Sequence, residues 1–80
     1  MEVEKHAQEK IDQLGKRIKE FREKKGYTNA EKFAYEHGIS RSQYAQYEKG
    51  KDLRFSSLVK LIHSFDTTLD EFFSEGFEDQ

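Results

Sequence analysis

Residues 26–50, GYTNAEKFAYEHGISRSQYAQYEKG, constrain the fold more than any other part of the chain. Two short helical patterns sit back to back in this stretch, with a tight turn at Gly38 between them. The second opens on Ser40, and Gln43 stands three residues later. That spacing is a capping box: the Ser hydroxyl accepts from the third backbone N–H, and the Gln side chain reaches back to the cap. The same pattern occurs at Thr28 with Glu31 and at Thr68 with Glu71. One match alone carries little. Three, each ahead of an apolar pattern, mark three separate helix starts. Ile39 and Tyr44 add a hydrophobic staple around the Ser40 cap.

The apolar spacing completes an all-α reading. Ala7, Ile11, Leu14, Ile18 and Phe21 recur at steps of four and three, so residues 7–25 form one helix face. Lys24, Lys25 and Gly26 close it with cations and a glycine. Helix two is expected over 29–37 with Phe33 and Ala34 inward, and helix three over 41–48 with Tyr44 and Tyr47 inward. Helix four over 56–65 would bury Leu58, Leu61, Ile62 and Phe65, and helix five over 69–74 would bury Leu69, Phe72 and Phe73. No strand pattern or internal repeat is present. The chain divides into an N-terminal extension, 1–13, continuing helix one, a domain over 14–73 and an acidic tail over 74–80.

With 80 residues one domain is expected. There is no Cys, so neither disulfides nor thiolate metal sites can staple so small a core, and a reducing cytoplasm suits the chain. No apolar run is long enough to span a bilayer, and the charged start is unlike a signal peptide. His6, His37 and His63 lie too far apart for a ligand motif, and no nucleophile stands beside a predictable base, so no metal, cofactor or catalytic residue is expected. Net charge is −2, but it is unevenly spread. Residues 15–60 hold twelve Lys and Arg against six acids, whereas residues 61–80 hold six acids and no Lys or Arg. The middle of the chain is basic, and local charge decides whether a surface can face phosphates.

The segments LGKRIKEFREKKGYT, FAYEHGISRSQYAQYEKGK and SSLVKLIHSFDTTLDEFF together resemble the phage-repressor-like helix-turn-helix family of Cro/cI or XRE type. The likeness covers about residues 14–73 and rests on the Ala34–Gly38–Ile39–Ser40 spacing, the Glu48-Lys49-Gly50 close and the final DTTLDEFF. It implies a compact five-helix lambda-repressor-like domain, in which helix two crosses the DNA backbone and helix three enters the major groove. It therefore implies a sequence-specific, double-stranded DNA-binding transcriptional regulator that is not an enzyme. By position, Arg41, Ser42, Gln43 and Gln46 would read bases, Arg41 suiting guanine and Gln46 adenine. Asn29, Lys49, Lys51, Arg54 and Ser56 would hold phosphates. Arg22 and Glu48 match a structural pair joining helix one to the end of helix three. The chain departs from the family between Gly26 and Ala34, where it carries one extra residue. Either Asn29 or Ala30 then takes the place of a phosphate-gripping Gln, and only Asn29 has a side chain that can serve.

Plainer readings stand beside these. Lys16, Lys19, Lys24, Lys25 and Lys32 read as a solvated surface, several with a Glu neighbour four residues away. Tyr35, Tyr44 and Tyr47 read as core, since stacking suits unpaired strands. The alternative function is a protein-interaction module on the same fold, such as an antitoxin or adaptor, which the acidic tail favours. Candidate homodimer patches are Phe72, Phe73 and Phe77, or the N-terminal helix. No small-molecule effector is evident.

Overall fold

Helix α1 spans Glu2–Lys24 in the computed structural model, which describes residues 2–79; Met1 and Gln80, at the ends of the extension and the tail, lie outside the described residues. Four shorter helices follow: α2, Ala30–Glu36; α3, Arg41–Gly50; α4, Phe55–Ser64; and α5, Leu69–Phe72. No strand occurs among the described residues.

The caps explain most of these boundaries. The Ser40 hydroxyl accepts from Gln43 N at 3.2 Å, and the Thr68 hydroxyl accepts from Glu71 N at 3.1 Å. The first expected box behaves differently. Asn29, not Thr28, caps α2, its Oδ1 accepting from Glu31 N at 2.8 Å and Lys32 N at 3.2 Å. The amide oxygen of Asn29 reaches two of the open N–H groups, so the helix starts one residue later than Thr28 would set it.

One aromatic-rich core joins the five helices. Ile18 and Phe21 of α1 meet Phe33 and Ala34 of α2, Tyr44 and Tyr47 of α3, Leu58, Leu61 and Ile62 of α4, Phe65, and Phe72 of α5. Phe33 sits at its centre, within 5.3 Å (between ring centroids) of Tyr27, Tyr44 and Phe65. Tyr35, expected in the core, is 86% exposed, because Phe33 and Ala34 already take the inward side of the short α2. Leu69 and Phe73, at 40% and 42%, are also more exposed than a core position allows. A single-turn helix can aim only one side chain at the core, and in α5 that is Phe72. Fully buried, Phe72 cannot belong to a homodimer patch, which corrects that expectation. Phe77 is half-buried and packs against Phe73 and Phe72.

The C-terminal segment does not trail free. Arg17, 2% exposed, donates from Nε to Phe72 O at 2.7 Å and from Nη2 to Glu71 O at 3.0 Å. Phe72 O is an end carbonyl of α5 with no other donor among the described residues, whereas Glu71 O also accepts from Ser74 N at 3.2 Å and Ser74 Oγ at 2.7 Å. The same guanidinium lies 4.5 Å over the Phe21 ring and 3.4 Å from the Glu75 carboxylate. Further along α1, Gln13 donates to Glu78 O at 2.8 Å and Lys10 pairs with Asp79 at 2.9 Å. The acidic tail is therefore strapped along one side of α1.

Candidate nucleic-acid interface

α3 is fixed by α1 from behind. Gly15 lies where the two backbones come closest: a Cβ there would stand 2.6 Å from Glu48 O and 2.8 Å from Gly50 N. Only glycine permits that approach. Beside it, Arg22 binds the Glu48 carboxylate with two nitrogens, Nε at 2.7 Å and Nη2 at 3.2 Å, and donates from Nη1 to Tyr27 O at 2.7 Å. Both partners are largely buried, and the hydrogen bonds that Arg22 donates to Glu48 hold its pKa above its ordinary value. This is the scaffold pair expected from the sequence. Tyr44 lies next to it with its hydroxyl unpaired; burial first, and the Glu48 carboxylate second, push that phenol far above the usual tyrosine range.

The turn into α3 is equally defined. Gly38 takes φ +69°, in the region where side chains other than glycine are strained. Ile39 N then bonds back to Ala34 O at 2.9 Å, and His37 Nδ1 lies 2.8 Å from Phe33 O. The result is an α3 with Tyr44 and Tyr47 buried and Arg41, Ser42, Gln43, Ala45, Gln46 and Lys49 exposed. All four expected base readers thus share one open helix surface.

Two of those side chains have neighbours outside the helix. The Arg41 guanidinium lies 3.5 Å from the Glu31 carboxylate of α2, both well exposed. Such a surface pair contributes about 0–1 kcal/mol and yields readily to a stronger partner. Lys51 Nζ donates to Gln46 Oε1 at 3.2 Å, which leaves the Gln46 amide nitrogen facing away from Lys51. Lys49, Arg54 and Ser56 are exposed and have no side-chain partner among the described residues. Arg54 occupies the cap of α4 without a side-chain capping bond, so the first N–H groups of that helix stay open. Asn29 spends its Oδ1 on the α2 cap and keeps its amide N–H groups for another acceptor.

Cations without a carboxylate partner among the described residues occur on α1 and α2 (Lys16, Lys19, Lys24, Lys32) as well as beside α3. Lys10, Arg17, Arg22 and Lys25 each pair with a carboxylate away from the exposed face of α3. Lys49, Lys51 and Arg54 pair with none among the described residues. Tail acids are tied down in turn: the backbone N–H groups of Glu78 itself and then Gly76 hold the Glu78 carboxyl below its usual range, and Lys10 does so for Asp79. Glu31, Gly15 and Arg17 escaped the sequence reading. In the sequence Glu31 stands out only as a capping-box partner, and the other two depend on contacts made across the fold. No group of three or more His, Asp or Glu side chains able to hold a metal occurs among the described residues. No helix among them is long and apolar enough to cross a membrane.

Residues 18–72, more than half of the chain, match the family described as helix-turn-helix. Comparison with curated proteins and with solved structures gave no match. The matched span begins at Ile18 in α1 and ends at Phe72 in α5, so it contains the capped α2–turn–α3 unit and its mount. The chain belongs to the XRE-type, Cro/cI-like helix-turn-helix family of DNA-binding regulators.

Proposed function

We propose that this protein is a sequence-specific transcriptional regulator that reads double-stranded DNA with α3 in the major groove. Arg41, Ser42, Gln43 and Gln46 take the base edges, Arg41 suiting the two acceptors of guanine and Gln46 the donor–acceptor pair of adenine. Asn29, Lys49, Lys51, Arg54 and Ser56 hold the flanking phosphates. The observation that carries the reading is the exposed polar face of α3 bordered by cations that have no carboxylate partner among the described residues. A protein surface in this state has charge left to neutralise phosphates and release counterions.

One helix of this length offers few base contacts. On this reading two copies bind half-sites about 34 Å apart, one turn of DNA. The proposed place of action is the cytoplasm. The interaction-module alternative drew its support from the acidic tail. Glu75, Glu78 and Asp79 are occupied by Arg17, Gly76 N and Lys10, which leaves fewer free carboxylates for a basic partner.

Selection from a random duplex pool, followed by sequencing of the bound fraction, tests the proposal. The expected product is a palindromic consensus, with one position relaxed in Arg41→Ala by about 1–3 kcal/mol of discrimination. A bound pool with no consensus, or an Arg41→Ala protein that selects the same site equally well, contradicts it.

A further inference from the structure

Arg41 and Lys49 are the two cations of α3, and both are exposed. Lys49 has no carboxylate partner among the described residues, whereas Arg41 Nη1 lies 3.5 Å from Oε2 of Glu31. Glu31 stands in the first turn of α2, so the contact bridges the two helices across the Gly38 turn. Its side chain does not make the α2 cap. Asn29 Oδ1 accepts from the Glu31 backbone N–H at 2.8 Å, and the carboxylate reaches no other partner among the described residues. The pair adds little to stability, since its side chains are 75% and 64% exposed. The helix dipole favours an acid in the first turn, but it does so whichever way the carboxylate points. On the proposed docking Glu31 lies two residues from Asn29, a phosphate contact, where a negative charge opposes overall affinity. A group that aids neither folding nor affinity by its direction is left with a part in selectivity.

We infer that Glu31 is a positioning residue for base selectivity: it holds Arg41 by Nη1 and leaves the Nε–Nη2 edge of the guanidinium as the pair of donors that meets guanine. The inference rests on the proposed docking of α3. Two parallel N–H groups suit O6 and N7 of guanine, and Arg22 uses the same edge on Glu48, through Nε and Nη2. A flexible arginine at an interface can instead leave the base for a phosphate, which carries no sequence information. Glu31 opposes that exchange in two ways. Its charge repels a phosphate from the Arg41 guanidinium, and repelling the wrong acceptor is a route to specificity. It also keeps its hold once α3 closes on DNA and water leaves, because the lower dielectric strengthens the pair.

The test measures binding of the full chain to its selected duplex, to that duplex with the base pair read by Arg41 exchanged, and to an unrelated duplex. The proteins are wild type, Glu31→Gln, Glu31→Asp and Arg41→Ala, and the position read by Arg41 is the one relaxed in Arg41→Ala. Wild type should discriminate at that position by about 5–150-fold. Glu31→Gln should lose at least about fivefold of this and bind the unrelated duplex more tightly. Glu31→Asp keeps the charge but is one methylene too short for the contact; it should lose the discrimination as well, with wild-type affinity for the unrelated duplex. Melting temperatures of both should match wild type, since the cap uses only the Glu31 backbone N–H. In an Arg41→Ala background, Glu31→Gln should leave base preference unmoved. If Arg41→Ala relaxes one position and both Glu31 variants keep full discrimination there, this inference fails while the reading of α3 stands. Discrimination lost in Glu31→Gln but kept in Glu31→Asp would assign Glu31 a charge effect alone and overturn the positioning role. If Arg41→Ala relaxes no position, both fail.

Discussion

Replacing Gly15 by alanine sets two opposed effects against each other inside α1. Alanine in place of glycine in a helix interior gains about 1 kcal/mol, so the substitution stabilises an isolated helix. Here the new Cβ would stand 2.6 Å from Glu48 O and 2.8 Å from Gly50 N, both backbone atoms. Moving from 2.6 Å to the 3.4 Å of ordinary contact requires about 0.8 Å of separation between α1 and α3. No rotamer change can supply it, because neither clashing atom is on a side chain. Overpacking of this kind costs about 1–3 kcal/mol, with rigid neighbours at the upper end. The net effect is a loss of about 2 kcal/mol after the helix gain is subtracted. At ~4–8 °C per kcal/mol for a domain of this size, the melting temperature falls by about 8–16 °C. Urea unfolding followed by circular dichroism measures it, with Lys16→Ala on the exposed face as the control, expected within about 0.5 kcal/mol of wild type. An unchanged or raised midpoint in Gly15→Ala would show that α3 is not seated on the α1 backbone as described.

The remaining predictions concern the same supports. Glu48→Ala strands the Arg22 guanidinium and should destabilise by about 3–5 kcal/mol, while the Arg22→Met, Glu48→Ala double variant loses less than the two single losses added; strict additivity in a double-mutant cycle would contradict the pairing. Arg17→Met removes the donors to Phe72 O and Glu71 O and should cost about 1–3 kcal/mol for the Phe72 carbonyl left dry, since Glu71 O keeps Ser74 N and Ser74 Oγ as donors. It should also free residues 75–79 to rapid proteolysis, and unchanged cleavage would refute the strap. Acid should release the tail by a definite sign. The folded Glu78 and Asp79 carboxyls sit below their ordinary values of 4.5 and 3.8, so their contribution is complete above those values and disappears as pH falls through the folded ones. Carboxyl titration by NMR should find both midpoints depressed; midpoints at the ordinary values would contradict the tail contacts.

What the sequence discloses and what it hides divide by range. The caps at Ser40 and Thr68 are readable because the hydroxyl meets an N–H only three residues away. The first cap misleads because Thr28 and Asn29 are adjacent and both have capping chemistry; the spacing to Glu31 favours Thr28, and the Asn29 amide wins by accepting two N–H groups. The exposed readers of α3 follow from helical period alone. Arg22 and Glu48 are readable only through the family likeness, since 26 residues separate them. Gly15 and Arg17 are opaque for a different reason. Gly15 interrupts a helix without any local purpose until α3 crosses there. Arg17 is a charged residue in a polar-looking position, and it is buried because the chain returns from α5 to that side of α1 and offers it two carbonyls. Leu69 and Phe73 looked inward because a one-turn helix is too short for its period to be read.

The most direct measurement is an NMR titration of the labelled protein with its selected duplex, following backbone amides and arginine side chains. The account places the largest shifts at Arg41 to Lys49, at the Arg41 guanidinium, and from Lys51 to Ser57, with residues 3–10 and 73–79 unmoved. Shifts centred on the α1 extension or the acidic strap, with the outer side of α3 silent, would contradict it.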